Sequence, residues 1–389
     1  MKRKSYLFVI AALLCGAWFW AFWGNGPKDG KASFVVRGDA GKETVAVSAG
    51  KDTVPANSGN DPERFVYDGE HFGSKQAMEQ AKKQDYIDLR GADAKITLHV
   101  TDSNGRNVPD ATVKVDFGVF EKSTSTTGKT DGSGIFVWSG RTDGEVVYTV
   151  EKDGYYKTRT AYRLNLINGD DVKDGKWIPW GRTIEVTLKE KRNPIPMYAK
   201  NAGIRLPKRG EPFGFDFKVG DLVKPYGTGE QTDLYFLVTV ERRNETFGDF
   251  KKELFITAVQ QGEGLLVNTI DKWSQLLSAH EAQENGYESQ FYSVMDRTPS
   301  TVLQQIEMSD EEYLTVRTRI VKDDEGNIIS ANYGKIMSKL GYYRDEKNPD
   351  GAVVKFLYYF NPTPNDRNLE FDTSKNLFGN DSQNRVSIP

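Results

Sequence analysis

Polar and apolar residues alternate along several short segments between Lys95 and Lys189, and this alternation constrains the fold more than any other feature. In the first segment Ile96, Leu98 and Val100 are apolar and the residues between them are polar. Successive side chains of a β-strand point to opposite faces, so a period of two predicts strands with one buried and one wet face. The pattern recurs with apolar residues at Val113, Val115, Phe117, Val146, Tyr148, Val150, Ile184, Val186 and Leu188.

Turn-forming residues separate these segments. Asp, Asn and Gly tolerate positive φ or bond to their own backbone, and they occur together at each break. The breaks include Asn104-Gly105, Asp131-Gly132, Asp143-Gly144 and Asp153-Gly154. Several short strands at this spacing, with no long helical period among them, predict a small β-sandwich.

The same residues carry a resemblance to a known family. Its motifs are, in chain order, Val100–Asp102, Gly105, Val108–Val113, Thr130–Phe136 and Tyr148–Tyr155. Together they resemble the carboxypeptidase regulatory-like domain, over about residues 95–190. The resemblance implies a transthyretin-like, prealbumin-type fold, and a non-catalytic accessory role in a secreted or cell-surface protein. The catalytic domain of a carboxypeptidase is not visible in the sequence.

The amino terminus has the pattern of a membrane anchor. Lys2-Arg3-Lys4 precedes an uncharged run from Ser5 to Trp23, about the length of a membrane-spanning helix. Basic residues favour the cytoplasmic side, so we expect residues 1–23 to form a signal-anchor and the bulk to be extracytoplasmic, in the periplasm or at the cell surface. Cleavage as a signal peptide and lipidation at Cys15 remain open, although bulky neighbours fit both poorly.

The rest of the chain is predicted to form a linker and two β domains. Residues 24–91 are expected to be linker with a short hairpin and a helix capped by Ser74. The small sandwich is expected over residues 92–191. Pro194 and Pro196 then stiffen the chain and indicate a boundary at which the two domains are docked.

The second domain, residues 199–389, is predicted to be larger and β-rich. Period-two alternation in Leu234–Val240 and in Leu314–Ile320 supports this, and Asp271–Gln283 is expected to be a helix. This half resembles no family that we recognise. The predicted fold class is therefore mainly β, with an amino-terminal transmembrane helix, a small transthyretin-like sandwich and a larger β-rich domain.

No catalytic, cofactor-binding or metal-binding residue is predicted. Gly128-Lys129-Thr130 imitates a phosphate-binding loop, but Ser123 stands where that motif needs glycine. His280-Glu281 imitates a zinc-protease helix, but Glu284 replaces its second histidine. The net charge of −3 does not indicate the basic surface that nucleic-acid binding needs.

Aromatic residues around two loops of the small sandwich give the predicted contact site for a partner or a glycan. Exposed rings stack on sugars or anchor protein interfaces. The candidates are Tyr155, Tyr156, Trp177, Trp180 and Arg182. The alternative is that the rings close the end of the sandwich core.

These observations favour a non-enzymatic, membrane-anchored protein of the cell envelope that acts as a structural or interaction module. Two alternatives stay open: a polysaccharide-binding accessory protein, and an envelope hydrolase with an unrecognised carboxylate site. The expected partners are the membrane, through the amino-terminal helix, and an envelope protein or polysaccharide.

Overall fold

The structure is a computed structural model, and it describes residues 65–120, 122–165, 170–243, 248–298, 304–379 and 386. The chain divides into two units, Met1–Asn60 and Asp61–Pro389, and the described residues all belong to the second. The expected linker hairpin between residues 33 and 47 lies outside the described residues.

A short hairpin and a helix come first. The hairpin pairs β1 (Val66–Tyr67) with β2 (Glu70–His71), and the helix is α1 (Lys75–Arg90). Ser74 caps the helix, because its Oγ accepts a hydrogen bond from the amide of Ala77 at 3.1 Å. The expected cap is thus confirmed. Ile87 is the buried residue of the helix, and it packs into the core of the sandwich that follows.

The first sandwich consists of two sheets. Its strands are β3 (Ala92–Asp102), β4 (Thr112–Val119), β5 (Lys122–Lys129), β6 (Ile135–Thr142), β7 (Glu145–Glu151), β8 (Thr158–Arg163), β9 (Asp171–Lys173), β10 (Lys176–Ile178) and β11 (Arg182–Leu188). In one sheet β3 pairs with β6 on one edge and with β10 and β11 on the other, and β9 lies beyond β10. The second sheet has the order β5-β4-β7-β8.

The core of the first sandwich is built from the alternating residues. The alternating apolar residues named above all lie in the core except Phe117, which is half-buried. The turn before β6 needs glycine, because Gly134 has a φ of +74° and a Cβ there would lie 2.5 Å from the carbonyl oxygen of Val100. The two-residue period therefore predicted this packing correctly.

The second sandwich pairs two larger sheets. Its strands are β12 (Ile195–Leu206), β13 (Phe213–Asp216), β14 (Asp221–Leu222), β15 (Leu234–Arg242), β16 (Phe250–Ala258), β17 (Gly264–Thr269), β18 (Gln290–Arg297), β19 (Gln304–Ile306), β20 (Glu312–Lys322), β21 (Ile328–Arg344), β22 (Ala352–Phe360) and β23 (Phe371–Asn376). The sheet orders are β17-β20-β21-β22-β12-β23 and β14-β13-β15-β16-β18-β19. Aromatic residues such as Phe215, Phe236 and Phe356 fill the space between the two sheets.

Two sequence expectations are corrected here. The fold is mainly β, but α1 is the one helix of the described residues, and no helix in this part of the chain is long and apolar enough to cross a membrane. The predicted fold class is wrong in its transmembrane helix, whose residues 1–23 lie outside the described part. Asp271–Gln283 is likewise not a helix but an irregular loop between β17 and β18.

Candidate functional site

Trp177, one of the predicted contact residues, lies in the core of the first sandwich. Its side chain is only 1% exposed, and its Nε1 donates a hydrogen bond to the carbonyl oxygen of Thr142 at 3.2 Å. The preceding residue, Lys176, pairs with Asp93 at the start of β3, so the next side chain turns inward. Trp177 therefore presents no surface to a partner.

Trp180 and Arg182 lie near the same end of the sandwich. Trp180 is 44% exposed, and the Lys176 Nζ lies 5.3 Å from its ring centroid. Arg182 forms an ion pair with the buried carboxylate of Asp170 and lies over the ring of Tyr162. Its guanidinium is thus engaged within the sandwich, and Trp180 offers the larger free surface.

Tyr155 lies at the opposite end. It forms a bridge with Glu190, just beyond the strand in which Leu188 pairs with Asp102. Asp93 and Asp102 stand near the two ends of the 11-residue strand β3, roughly 30 Å apart. The five predicted residues are therefore not brought together. The chain runs along β8 between Tyr155 and Trp177, from one end of the sandwich to the other.

Tyr156 is buried in the junction between the two sandwiches. Its hydroxyl donates to Glu370 Oε1 at 3.0 Å, and the amides of Arg192 and Asn193 each donate to the same carboxylate at 3.0 Å. Glu370 is 1% exposed. Burial and the charge of Glu370 raise the pKa of Tyr156, so its hydroxyl stays protonated and acts as a donor.

The loop over residues 270–283, called the junction loop below, belongs to the second sandwich but lies against the first. The Lys189 Nζ donates to the carbonyl oxygens of Leu276 and Ser278, both at 3.0 Å. Backbone bonds add to these, since the amide of Arg159 donates to the carbonyl oxygen of Trp273 at 3.0 Å. The first sandwich therefore satisfies backbone groups that a helix would have paired internally.

Ser278 is the point at which lysines from both sandwiches meet. Its carbonyl oxygen binds Lys189, and its Oγ accepts a hydrogen bond from the Lys335 Nζ of β21 at 2.8 Å. Ser278 is 0% and Lys335 1% exposed, and the Lys335 Nζ lies 4.7 Å from the ring centroid of Tyr359. Burial, and to a smaller degree the charge of Lys189, lower the pKa of Lys335 to about 7.

We call Tyr156, Lys189, Ser278, Lys335 and Glu370 the junction cluster. A serine bonded to a lysine of lowered pKa has the groups of a nucleophile and its base. Here, however, both side chains are enclosed between the sandwiches, away from any substrate in solvent. Among the described residues no three His, Cys, Asp or Glu side chains group to hold a metal ion. The chemistry that this geometry supports is hydrogen bonding across the junction.

Sequence reasoning missed the junction cluster. Lys335 precedes the core residue Ile336 on β21, so its side chain points to the opposite face of the sheet. In an isolated sandwich that face would be in contact with solvent. The junction loop covers that face, and Ser278 stands 57 positions away in the sequence. No local pattern marks a contact of this range.

Comparisons with known proteins find solved structures of low similarity and no family. No family model matches the chain, and no curated protein matches it. Among solved structures, 3-chlorocatechol 1,2-dioxygenase from Rhodococcus opacus 1CP is 12% identical over 27% of this chain and 62% of its own, with a TM-score of 0.23. Shaft pilin SpaA from Lactobacillus rhamnosus GG is 11% identical over 44% of this chain and 89% of its own, with a TM-score of 0.18. BcpA, the major pilin subunit of Bacillus cereus, is 13% identical over 68% of this chain and 95% of its own, with a TM-score of 0.20.

These neighbours include a class of enzymes and a class of structural proteins. The chain spans less than two thirds of the length of the dioxygenase. The identities and TM-scores are too low to carry an argument about activity or assembly.

Proposed function

We propose that the chain is a non-enzymatic structural and interaction module in which two β-sandwiches act as one rigid body. The junction cluster is the observation that supports this most. Its hydrogen bonds join both sandwiches through groups such as Glu370 and Ser278, which are 1% and 0% exposed. A hydrogen bond to a charged group contributes about 1.5–3 kcal/mol, so several such bonds together oppose movement of one sandwich against the other. A rigid pair suits a protein that spaces or presents a binding surface.

A hydrolytic activity has less support. Two buried carboxylates of the second sandwich, Asp216 and Asp233, both bind the guanidinium of Arg319, at 2.8 and 2.6 Å. They are 3% and 0% exposed. Neither is free to protonate a leaving group or to activate water, which is what glycoside hydrolysis needs from a carboxyl pair.

We include a location outside the cytoplasm in the proposal, with an envelope protein or a polysaccharide as the expected partner. The resemblance of residues 95–190 to carboxypeptidase regulatory-like domains supports it, because that family is typical of secreted and cell-surface proteins. Alkaline phosphatase fused to Pro389 should be active if the carboxy terminus leaves the cytoplasm. An inactive but stable fusion would contradict this location.

The structural role is tested by loosening the junction in the cell. Glu370→Ala removes the acceptor of Tyr156 and of two backbone amides, so we expect it to fail to complement a deletion of the gene. The matched control is Glu211→Ala, whose carboxylate pairs on the surface with Lys208. The abundance of Glu370→Ala in the cell is measured alongside, and scattering shows whether its junction is loosened. If the loosened variant is present at normal abundance and complements fully, a role that depends on rigidity is contradicted.

A further inference from the structure

The outer face of one sheet of the second sandwich is unusually aromatic. Along β15, Phe236 is fully buried in the core, so Tyr235 and Leu237 on either side of it lie on the outer face. The strand register places Phe255 beside Leu237 and Tyr292 beside Phe255. The solvent face of an antiparallel sheet normally carries polar residues. A row of large apolar side chains on this face therefore needs an explanation.

These side chains form a groove of about 410 Å³, which we call the aromatic groove. It is lined by Pro212, Tyr235, Leu237, Phe255, Thr257 and Gln290. The rings are held in place: Phe255 and Tyr292 have centroids 4.8 Å apart, and the Tyr292 hydroxyl donates to Glu253 Oε1 at 2.8 Å. The groove thus has a preformed apolar floor.

Glu253 stands two residues before the groove residue Phe255 on β16, and its charge is paired. Glu253 pairs with Lys251 at 2.8 Å and accepts a further bond from Thr239 Oγ1 at 2.8 Å. Exposed Gln290 donates to Thr257 Oγ1 at 3.2 Å, and its amide oxygen has no partner among the described residues. The groove therefore offers an apolar floor, hydrogen-bonding groups and a compensated charge.

We propose that the aromatic groove binds a neutral polysaccharide chain. A pyranose ring has an apolar face of C–H groups that stacks on aromatic rings, and a rim of hydroxyls that need donors and acceptors. The compensated Glu253–Lys251 pair gives an anionic glycan no attraction. The volume of the groove falls in the range of preformed ligand sites, which are mostly apolar with a few placed polar groups.

A second protein chain fits this surface less well. A stable protein partner covers about 800 Å² on each side. An interface of that size would extend beyond the groove over the charged row of Glu241, Lys251 and Asp296 on the same face. An oligosaccharide needs only the groove itself.

The inference is independent of the rigid junction. The groove lies within the second sandwich, so loosening the junction cluster should leave sugar binding unchanged. Failure of the structural role and failure of the glycan site can therefore be told apart, since Glu370→Ala bears on the first and Tyr235→Ala on the second.

The test is isothermal titration calorimetry of the full chain with cellohexaose, xylohexaose and mannohexaose, and with hexagalacturonate as the charged comparison. We expect at least one neutral hexasaccharide to bind, and Tyr235→Ala or Phe255→Ala to weaken it by roughly tenfold. Gln290→Ala, at an exposed position, should weaken it by roughly threefold. Tyr343→Ala is the matched control, because this 40% exposed ring lies on the other sheet and should not matter.

Three results would overturn the proposal: no binding of any neutral hexasaccharide, stronger binding of hexagalacturonate, or unchanged binding by Tyr235→Ala. Thermal melting of each variant shows whether it is folded. If Phe255→Ala is unfolded, Tyr235→Ala and Gln290→Ala decide the outcome.

Discussion

Lys335 gives the stability of this protein a pH dependence that surface lysines do not give. Its pKa is lowered to about 7 in the folded chain, whereas an unfolded lysine titrates near 10.5. Between these values the unfolded state binds the extra proton, so stability rises with pH from about 7 towards 10. The buried tyrosines set the upper limit, because the raised pKa of Tyr359 favours unfolding above about pH 10.

We expect Lys335→Met to remove most of this slope. Between pH 7 and 10 the lysine accounts for up to about 4 kcal/mol of unfolding free energy, and the variant should be at least as stable as the parent at pH 7. Urea unfolding at several pH values measures this. Lys208→Met, at an exposed position, should keep the slope. An unchanged slope in Lys335→Met would contradict the assignment.

Arg319 stabilises the second sandwich through its charge, while its own backbone adopts a strained conformation. Its φ of +52° lies in the left-handed region that side chains avoid. Arg319 stands at the register shift between Thr318 and Val321 of β20, and there it forms a bidentate bond to Asp233, with Nε–Oδ1 at 2.6 Å and Nη2–Oδ2 at 2.7 Å, together with a bond to Asp216. The residue thus joins β20 of one sheet to the strand ends of the other.

Arg319→Met should therefore lower the unfolding free energy by ~3–5 kcal/mol, because it leaves buried carboxylates without their cation. Adding Asp233→Asn to this variant should restore part of the loss. Guanidinium unfolding of both variants measures the effect. A loss below about 1 kcal/mol in the single variant would show that the pair is replaceable.

Strand β5 is an edge that the sequence protects. It is the outermost strand of its sheet, and Lys122 and Lys129 stand at its two ends. If two copies paired antiparallel along β5, each Lys122 would face Lys129 of the other, and facing like charges destabilise such pairing. We expect Lys122→Thr combined with Lys129→Thr to raise self-association, seen as a concentration-dependent mass in light scattering. Lys114→Thr, on the inner strand β4, is the control, and equal behaviour of the two would contradict the argument.

The elements differ in how well the sequence predicts them. Strands such as β3 and β11 follow from alternation, because each buries one face in its own sandwich. Asp271–Gln283, which makes up most of the junction loop, was expected to be a helix that ends before Asn285-Gly286. In the structure, hydrogen bonds to Lys189 and to β8 replace the backbone bonds that a helix would have. The Leu276 side chain is 0% exposed and the Trp273 side chain 48% exposed. Local periodicity carries no information about a partner surface that is distant in sequence.

At the scale of the whole molecule, the junction predicts that the two sandwiches unfold together. Residues Asp61–Pro389 form one unit, and the docking expected from Pro194 and Pro196 is observed in it. We expect a single calorimetric transition, with equal calorimetric and van't Hoff enthalpies. Lys189→Met should split it into two, whereas Lys208→Met, at a surface position, should not. Two transitions in the parent chain would contradict the coupling.

The junction loop also bears on how such a chain can evolve. The second sandwich carries, within its own sequence, the junction loop against which the first sandwich packs. Recombination that exchanged residues 92–191 for another sandwich would leave Ser278 without Lys189 and Glu370 without Tyr156. We therefore expect the two halves to be inherited as a pair, so that relatives keep both or have lost both, unlike modules that are shuffled freely between genes.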